Sequence, residues 1–341
     1  MPNESCIVVG AGGISNAWFP PLVEEQVDVR AVVDLRLEAA EAQIAQYGLE
    51  AEASTDLHAA IKAHQPDFVI DLTIPEAHCE VTCAALRAGC HVVSEKPMAA
   101  SMEEARNMVG AAEETGLMYM VSQSRRWDNK HDRIRRTVET GGIGNVTTVN
   151  CDFYLGAHFG GFRDEMDSPL LLDMSIHHFD LARFMAGIDP VAVYCREFNP
   201  KGSWYKGDVA ASAIFEMNDD IVFTYRGSWC SEGCHTSWNG DWRIVGDQGT
   251  LIYDHDQDPN GQVLAGDEGF NRPLADLAVA ASPLEHYGMH GALREMLSFL
   301  RTGHVPQTEC HDNIKSLAMV FAAMDSAREG RRVEVRGMLE D

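Results

Sequence analysis

The first 122 residues alternate short β-rich runs with longer helix-forming stretches, and no other feature of the chain restricts its fold as much. Residues 5–10 (SCIVVG), 29–34 (VRAVVD), 67–72 (DFVIDL), 91–94 (HVVS) and 118–122 (MYMVS) read as buried strands. Residues 38–47, 77–88 and 102–115 read as helices between them. Ser101 ahead of Met102, Glu103 and Glu104 has the form of a capping box. Gly48, Gly89 and Gly116 stand where helices should stop. Strands that alternate with helices predict an α/β fold with a parallel, doubly wound sheet.

The pattern changes after about Ser124. A helix is expected over 129–140, ending at Gly141-Gly142, then a strand over 146–154 and a helical stretch over 170–185. Strands without intervening helices follow at 191–198, 210–217, 221–228, 242–245 and 250–253. Asn218-Asp219-Asp220 is a hairpin turn signal between two of them. Successive strands of this kind imply an α+β domain with a large, mostly antiparallel, open-faced sheet. Two helices at 290–301 and 312–329 and a strand at 332–336 close the chain. A length of 341 residues exceeds what one core usually serves. Two domains are therefore expected, 1–123 and 124–341.

Composition narrows the partners. The chain carries 27 basic and 52 acidic residues, a formal net charge of −25, which repels nucleic acid backbones. No apolar run approaches the roughly 20 residues of a membrane helix. Residues 1–5 lack the basic-then-apolar pattern of a signal peptide, and the nine scattered cysteines read as reduced thiols, so a cytoplasmic protein is expected. Cys230, Cys234 and His235 resemble the start of a metal site. No second ligand pair at zinc spacing follows them, so no metal is expected.

Gly10-Ala11-Gly12-Gly13-Ile14-Ser15 follows the first strand and opens a helix. Gly10 permits a tight turn, and Gly12 lets the backbone approach a pyrophosphate at a helix N-terminus. Ser15 takes the third fingerprint position, where glycine or alanine is usual. Asp34 ends the second strand, where an acidic side chain accepts from an adenosine ribose and repels a 2′-phosphate. NAD is the expected cofactor. Arg36 is placed to accept that phosphate, which leaves NADP open.

Thr73-Ile74-Pro75-Glu76-Ala77-His78 and the later Ala88-Gly89-Cys90-His91-Val92-Val93-Ser94-Glu95-Lys96-Pro97 resemble the Gfo/Idh/MocA oxidoreductase family. The likeness continues through Ser124-Arg125-Arg126-Trp127, through 172–180 (LDMSIHHFD) and through 326–335 (SAREGRRVEV), so it covers essentially the whole chain. The chain departs from the family pattern in having Asp167-Ser168-Pro169 where a glycine triplet is common, Ser175 for a glycine and Glu76 for an asparagine. These positions flank the expected substrate pocket.

By position alone, Lys96 reads either as a surface lysine or as a group that stabilises an alkoxide at a strand's C-terminal end. Asp173 and His177, four apart, read either as a helix-stabilising pair or as a carboxylate orienting a base. The resemblance implies the catalytic reading for Lys96, Asp173 and His177. It also implies that Thr73, Ile74, Pro75, His78, Glu95, Lys96 and Arg126 join Gly10, Gly12, Gly13, Ile14, Asp34 and Arg36 around the cofactor. Arg163 is expected beside the substrate with Lys96, Asp173 and His177. Asp180 reads as structural support, and Trp229, Trp238 and Trp242 as sheet packing.

The implied reaction is hydride exchange between a secondary alcohol of a sugar, polyol or inositol and the nicotinamide. The implied roles are nucleotide binding by domain 1–123, and substrate binding and assembly into a homodimer or homotetramer by domain 124–341. The rival readings are a cofactor-binding regulator without turnover and an enzyme that recycles a tightly bound NAD(P).

Overall fold

A computed structural model describes residues 3–340. Residues 1, 2 and 341, the outermost ends of the two expected domains, lie outside the described residues. The chain forms two compact units. One takes the residues up to Trp127 together with His286–Ile314; the other takes Asp128–Glu285 and the residues from Lys315 onward.

The first unit is built on six parallel strands, β1 (Ser5–Val9), β2 (Asp28–Val33), β3 (Glu52–Ser54), β4 (Phe68–Asp71), β5 (His91–Glu95) and β6 (Tyr119–Ser122). Their order is β3-β2-β1-β4-β5-β6. That order reverses direction between β1 and β4, the switch point at which doubly wound sheets open a crevice for ligands. The crossovers carry α1 (Ser15–Glu24), α2 (Leu37–Tyr47), α3 (Leu57–His64), α4 (Pro75–Arg87) and α5 (Met102–Thr115). The central strands are buried on both faces, which is why Cys6-Ile7-Val8 and Phe68-Val69-Ile70 read as continuous apolar runs. Ser101 caps α5 by accepting from the Glu104 amide at 3.2 Å. Gly48 and Gly116 end α2 and α5 in the left-handed conformation.

The chain returns to this unit at 286–314. The Thr308 carbonyl accepts from the Val121 amide at 3.0 Å, so the returning segment pairs along β6, an edge strand that would otherwise be open. A further helix of the unit packs on Trp127 through Gly291, where a Cβ would stand 2.4 Å from the Trp127 side chain. This is α9 in chain order (Gly288–Thr302).

The second unit carries a nine-stranded sheet of β7 (Val146–Tyr154), β8 (Pro190–Phe198), β9 (Ala210–Met217), β10 (Val222–Ser228), β11 (Asp241–Gly246), β12 (Gly249–Tyr253), β13 (Asn260–Leu264), β14 (Leu274–Asp276) and β15 (Val333–Glu334). Their order is β14-β13-β12-β11-β7-β10-β9-β8-β15, antiparallel throughout except where β10 runs parallel to β7. The unit's helices are α6 (Asn129–Glu139), the short α7 (Phe162–Glu165), α8 (Ile176–Ala186), the later residues of α10 (Cys310–Glu329) and α11 (Gly337–Glu340). Phe179 of α8 sits edge-on to Phe215 and Tyr225 of the sheet, with ring centroids 4.8 and 5.2 Å apart. The opposite sheet face leaves Tyr194 and Ile214 half exposed. No described helix is long and apolar enough to cross a membrane.

Candidate active site

The expected site residues fall into two groups, one on each unit. On the first unit they gather at the C-terminal ends of the parallel strands. Gly10 has φ +98°, and a Cβ there would stand 2.6 Å from the Leu72 carbonyl oxygen, so only glycine fits between β1 and the end of β4. A Cβ on Gly12 or Gly13 would meet nothing within 4 Å, so both face open space at the start of α1. Ile14 is the N-cap of α1, and Ser15 is fully buried with its hydroxyl donating to the Gly12 carbonyl at 2.7 Å. A serine is therefore accommodated at the third fingerprint position.

Asp34 is tied to that turn. Its Oδ2 accepts from the Ala11 amide at 2.8 Å and its Oδ1 from the Arg36 amide at 2.9 Å. The Arg36 side chain is mostly solvent-exposed, 3.9 Å from Asp34. The carboxylate thus sits beside the glycine turn, where a ribose hydroxyl would lie. Gly10, the open space at Gly12 and Gly13, the helix N-terminus and Asp34 together fit a dinucleotide.

The next two strand ends are fastened by His78. Its Nδ1 lies 3.0 Å from the Pro97 carbonyl oxygen and its Nε2 3.0 Å from that of Thr73. The ring is fully buried and links the loop after β4 to the loop after β5. Thr73 in turn donates from its hydroxyl to Asp71 at 2.6 Å, and Thr82 does so at 3.0 Å. Burial pushes the Asp71 carboxyl up, opposed by nearby His78 and by those hydrogen bonds. Ile74 is exposed beside Pro75, the first residue of α4. Glu95 accepts from the Trp18 indole at 2.8 Å and from the Lys96 amide at 3.2 Å, and burial pushes its carboxyl up. Lys96 follows directly, half-buried, just past the end of β5.

Arg126 follows in the turn after β6. It is buried, with its guanidinium 2.7 Å from Asp312 and 2.8 Å from the Gln307 carbonyl. It fastens the returning segment. Nothing local to Ser124-Arg125-Arg126-Trp127 reveals those partners, which lie 186 and 181 residues away.

On the second unit, residues 170–185 are not one uniform helix. Leu170–Ser175 forms a wide π turn that leads into α8. Such turns are frequent at functional sites. Asp173 sits in the wide turn and His177 in the first turn of α8, both partly exposed. Arg163 of α7 donates from Nε to Asp173 at 2.6 Å, and its guanidinium lies 5.0 Å and 4.7 Å from the rings of Phe159 and Phe162. The arginine expected beside substrate therefore holds the candidate carboxylate.

The neighbouring residues are structural. His178 is buried against Phe153 and Tyr225, and Asp180 accepts from Ser316 at 2.8 Å. Trp229 and Trp242 are buried as expected of sheet packing, whereas Trp238 is nearly half exposed. Cys230, Cys234 and His235 do not converge on one ligand position, and the cysteines are free thiols. Sequence reasoning did not single out Glu197, whose carboxyl lies 2.9 Å from the Ser168 hydroxyl. The one available signal was the unusual Asp167-Ser168-Pro169.

Residues 5–123 match the model of the oxidoreductase family with NAD-binding Rossmann fold, and residues 131–252 match the Gfo/Idh/MocA C-terminal domain. The chain is 27% identical over 318 residues to D-apiose dehydrogenase of Paraburkholderia graminis, covering 91% of this chain and 84% of that relative. It is 26% identical over 345 residues to inositol 2-dehydrogenase of Rhizobium meliloti, covering 96% and 98% respectively. An oxidoreductase from Agrobacterium radiobacter, solved with NAD+, L-tartaric acid and magnesium, shares the fold with a TM-score of 0.86 at 21% identity, over 98% of this chain and 99% of that one. With both domains matched in sequence, the chain belongs to the Gfo/Idh/MocA oxidoreductase family, and its first domain is that family's NAD-binding Rossmann domain.

Proposed function

We propose that the chain is a dehydrogenase that oxidises a secondary alcohol of a sugar, polyol or inositol, or reduces the corresponding ketone, with NAD as the preferred cofactor. The observation that carries the reading is the held carboxylate. Asp173 is fixed by Arg163 in a wide helical turn, immediately ahead of a partly exposed His177. A fixed carboxylate beside an imidazole supports a general base in catalysis. The relatives named for apiose and inositol support the substrate class.

In this reading His177 takes the hydroxyl proton on a ring nitrogen. Asp173 orients that imidazole, and Arg163 orients Asp173. Lys96 donates from Nζ to a substrate oxygen and lowers the cost of negative charge that develops there. The nicotinamide, when bound, supplies the hydride acceptor. Asp34 accepts from the adenosine ribose, and its negative charge disfavours a 2′-phosphate. The exposed sheet face carrying Tyr194 and Ile214 pairs with a second copy of the chain.

Titration calorimetry with NAD and NADP, followed by the absorbance of reduced cofactor across a panel of sugars and inositols, tests the proposal. Turnover on one polyol class, lost in Lys96→Ala and His177→Ala with NAD binding retained, is the expected result. Normal turnover in both variants overturns the residue roles, and no turnover on any member overturns the substrate class.

A further inference from the structure

The inward face of β8 carries a carboxyl group where an apolar side chain would do. Along β8, Tyr194, Arg196 and Phe198 point out, while Val193, Cys195 and Glu197 point in. Glu197 is 9% exposed, and its Oε1 is buried without a hydrogen-bond partner among the described residues. Its Oε2 accepts one bond, from the Ser168 hydroxyl at 2.9 Å. A buried carboxyl with one partner is expensive for the fold, and an apolar residue of similar volume would usually stabilise the chain. What Glu197 holds is therefore of more consequence than what it contributes to stability.

Ser168 enters the wide turn that carries Asp173, and its carbonyl accepts from the Leu172 amide at 3.1 Å. The segment before it is gripped from the other side. The Asp208 amide donates to the Asp167 carbonyl and the Lys206 amide to the Asp164 carbonyl, both at 2.8 Å. A Cβ on Gly207 would stand 2.1 Å from the Asp167 oxygen and 2.3 Å from that of Met166, so residues 206–208 lie flat against the segment. Residues 164–168 are thus clamped between Glu197 and 206–208, with Arg163 at one end and the wide turn at the other.

We propose that Glu197 is a positioning residue. Through Ser168 it sets the turn that presents Asp173, and so the geometry of the acid–base pair. The inference rests on the roles proposed above for Asp173 and His177.

The groups facing Glu197 are Ser168 and Asp208, with Cys195 on its own strand. Burial pushes the Glu197 carboxyl up to about 8, with the Ser168 bond opposing and Asp208 adding to the rise. The carboxyl is mainly neutral at pH 7 and ionises as pH passes about 8. Ionisation places a charge in the apolar face of the sheet beside Asp208, and the clamp loosens.

Glu197→Gln keeps the shape and removes the titration, while Glu197→Ala removes the clamp. The expected results are a kcat roughly tenfold lower in Glu197→Ala with cofactor KM unchanged, and a wild-type alkaline loss of kcat near pH 8 that flattens in Glu197→Gln. Two readouts are independent of turnover. The amide of Leu172 should exchange with solvent faster in Glu197→Ala. The stability of Glu197→Gln relative to wild type should also rise from about pH 5 to pH 8, since only the unfolded wild-type carboxyl ionises in that window. Unchanged Leu172 exchange together with a pH-independent stability difference overturns the clamp. Absence of turnover with both of those effects present overturns the substrate reading instead.

Discussion

Arg163 Nε stands 2.6 Å from a carboxylate oxygen of Asp173, ten residues further along the chain. The arginine is one-third exposed and lies against two aromatic rings, so the pair forms a fixed corner at the wide helical turn. A partly exposed ion pair adds little stability. Its larger effect is to hold one orientation of the carboxylate. Arg163→Met is expected to lower kcat roughly tenfold to hundredfold while shifting the melting temperature by no more than about 2 °C. Arg163→Lys, which cannot reproduce the planar donor geometry, should recover only part of the rate. Steady-state kinetics on the sugar that gives turnover, beside thermal melts, checks both.

The cofactor end offers a sharper steric test. Gly10→Ala places a methyl group 2.6 Å from the Leu72 carbonyl oxygen in a backbone conformation that alanine avoids. The expected outcome is loss of NAD binding with a destabilisation of about 2 kcal/mol or more. Gly12→Ala meets open space in the free chain, so it should melt near wild type and yet weaken NAD. Calorimetry and melts separate the two glycines, and equal stability loss in both would contradict the assigned difference.

Asp34 joins the glycine turn to the end of β2. Removing its charge in Asp34→Ser should weaken NAD by about tenfold, near 1.4 kcal/mol, and narrow the preference over NADP. The ratio of the two dissociation constants is the measurement, and an unchanged ratio would contradict the ribose role.

His78 accounts for the fastening of two loops by one side chain. Its truncation in His78→Ala leaves the carbonyls of Thr73 and Pro97 without that partner in a buried place. A stability loss of about 1–3 kcal/mol is expected from losing that link. Cofactor affinity should fall with it, because the loops after β4 and β5 border the same crevice. Chemical denaturation and NAD titration on one preparation measure both.

The exposed sheet face predicts association. Ile214 is 53% exposed in the middle of β9 and Tyr194 lies half exposed on the neighbouring strand. Ile214→Glu should convert an oligomer to a smaller species in light scattering during gel filtration. A wild-type monomer at micromolar concentration would overturn the pairing.

Much of the fold is written locally. Apolar runs, glycine stops and the Ser101 cap act over a few residues, so the parallel strands β1, β2, β4, β5 and β6 and helices α2, α4 and α5 are legible in the sequence. The turn at Asp219 and Asp220 is legible for the same reason: both take φ near +57°, a conformation that aspartate tolerates. Strands β3, β13 and β14 escaped notice because they are short or polar, and their pairing comes from neighbours. Helix α3 carried a usable signal in Asp56, which accepts from the Ala59 amide at 3.0 Å.

The sequence by itself determined the doubly wound sheet and the glycine turn with Asp34, since each depends on spacing within one element or one crossover. Tertiary structure alone decided that 286–314 covers the edge of β6, that Arg126 meets Asp312, that Arg163 holds Asp173 and that Glu197 reaches Ser168. Those pairings join residues from 10 to 187 positions apart. Side chains so distant in sequence leave no periodic mark on it. They meet only once the packed sheet and helices have fixed where each backbone lies.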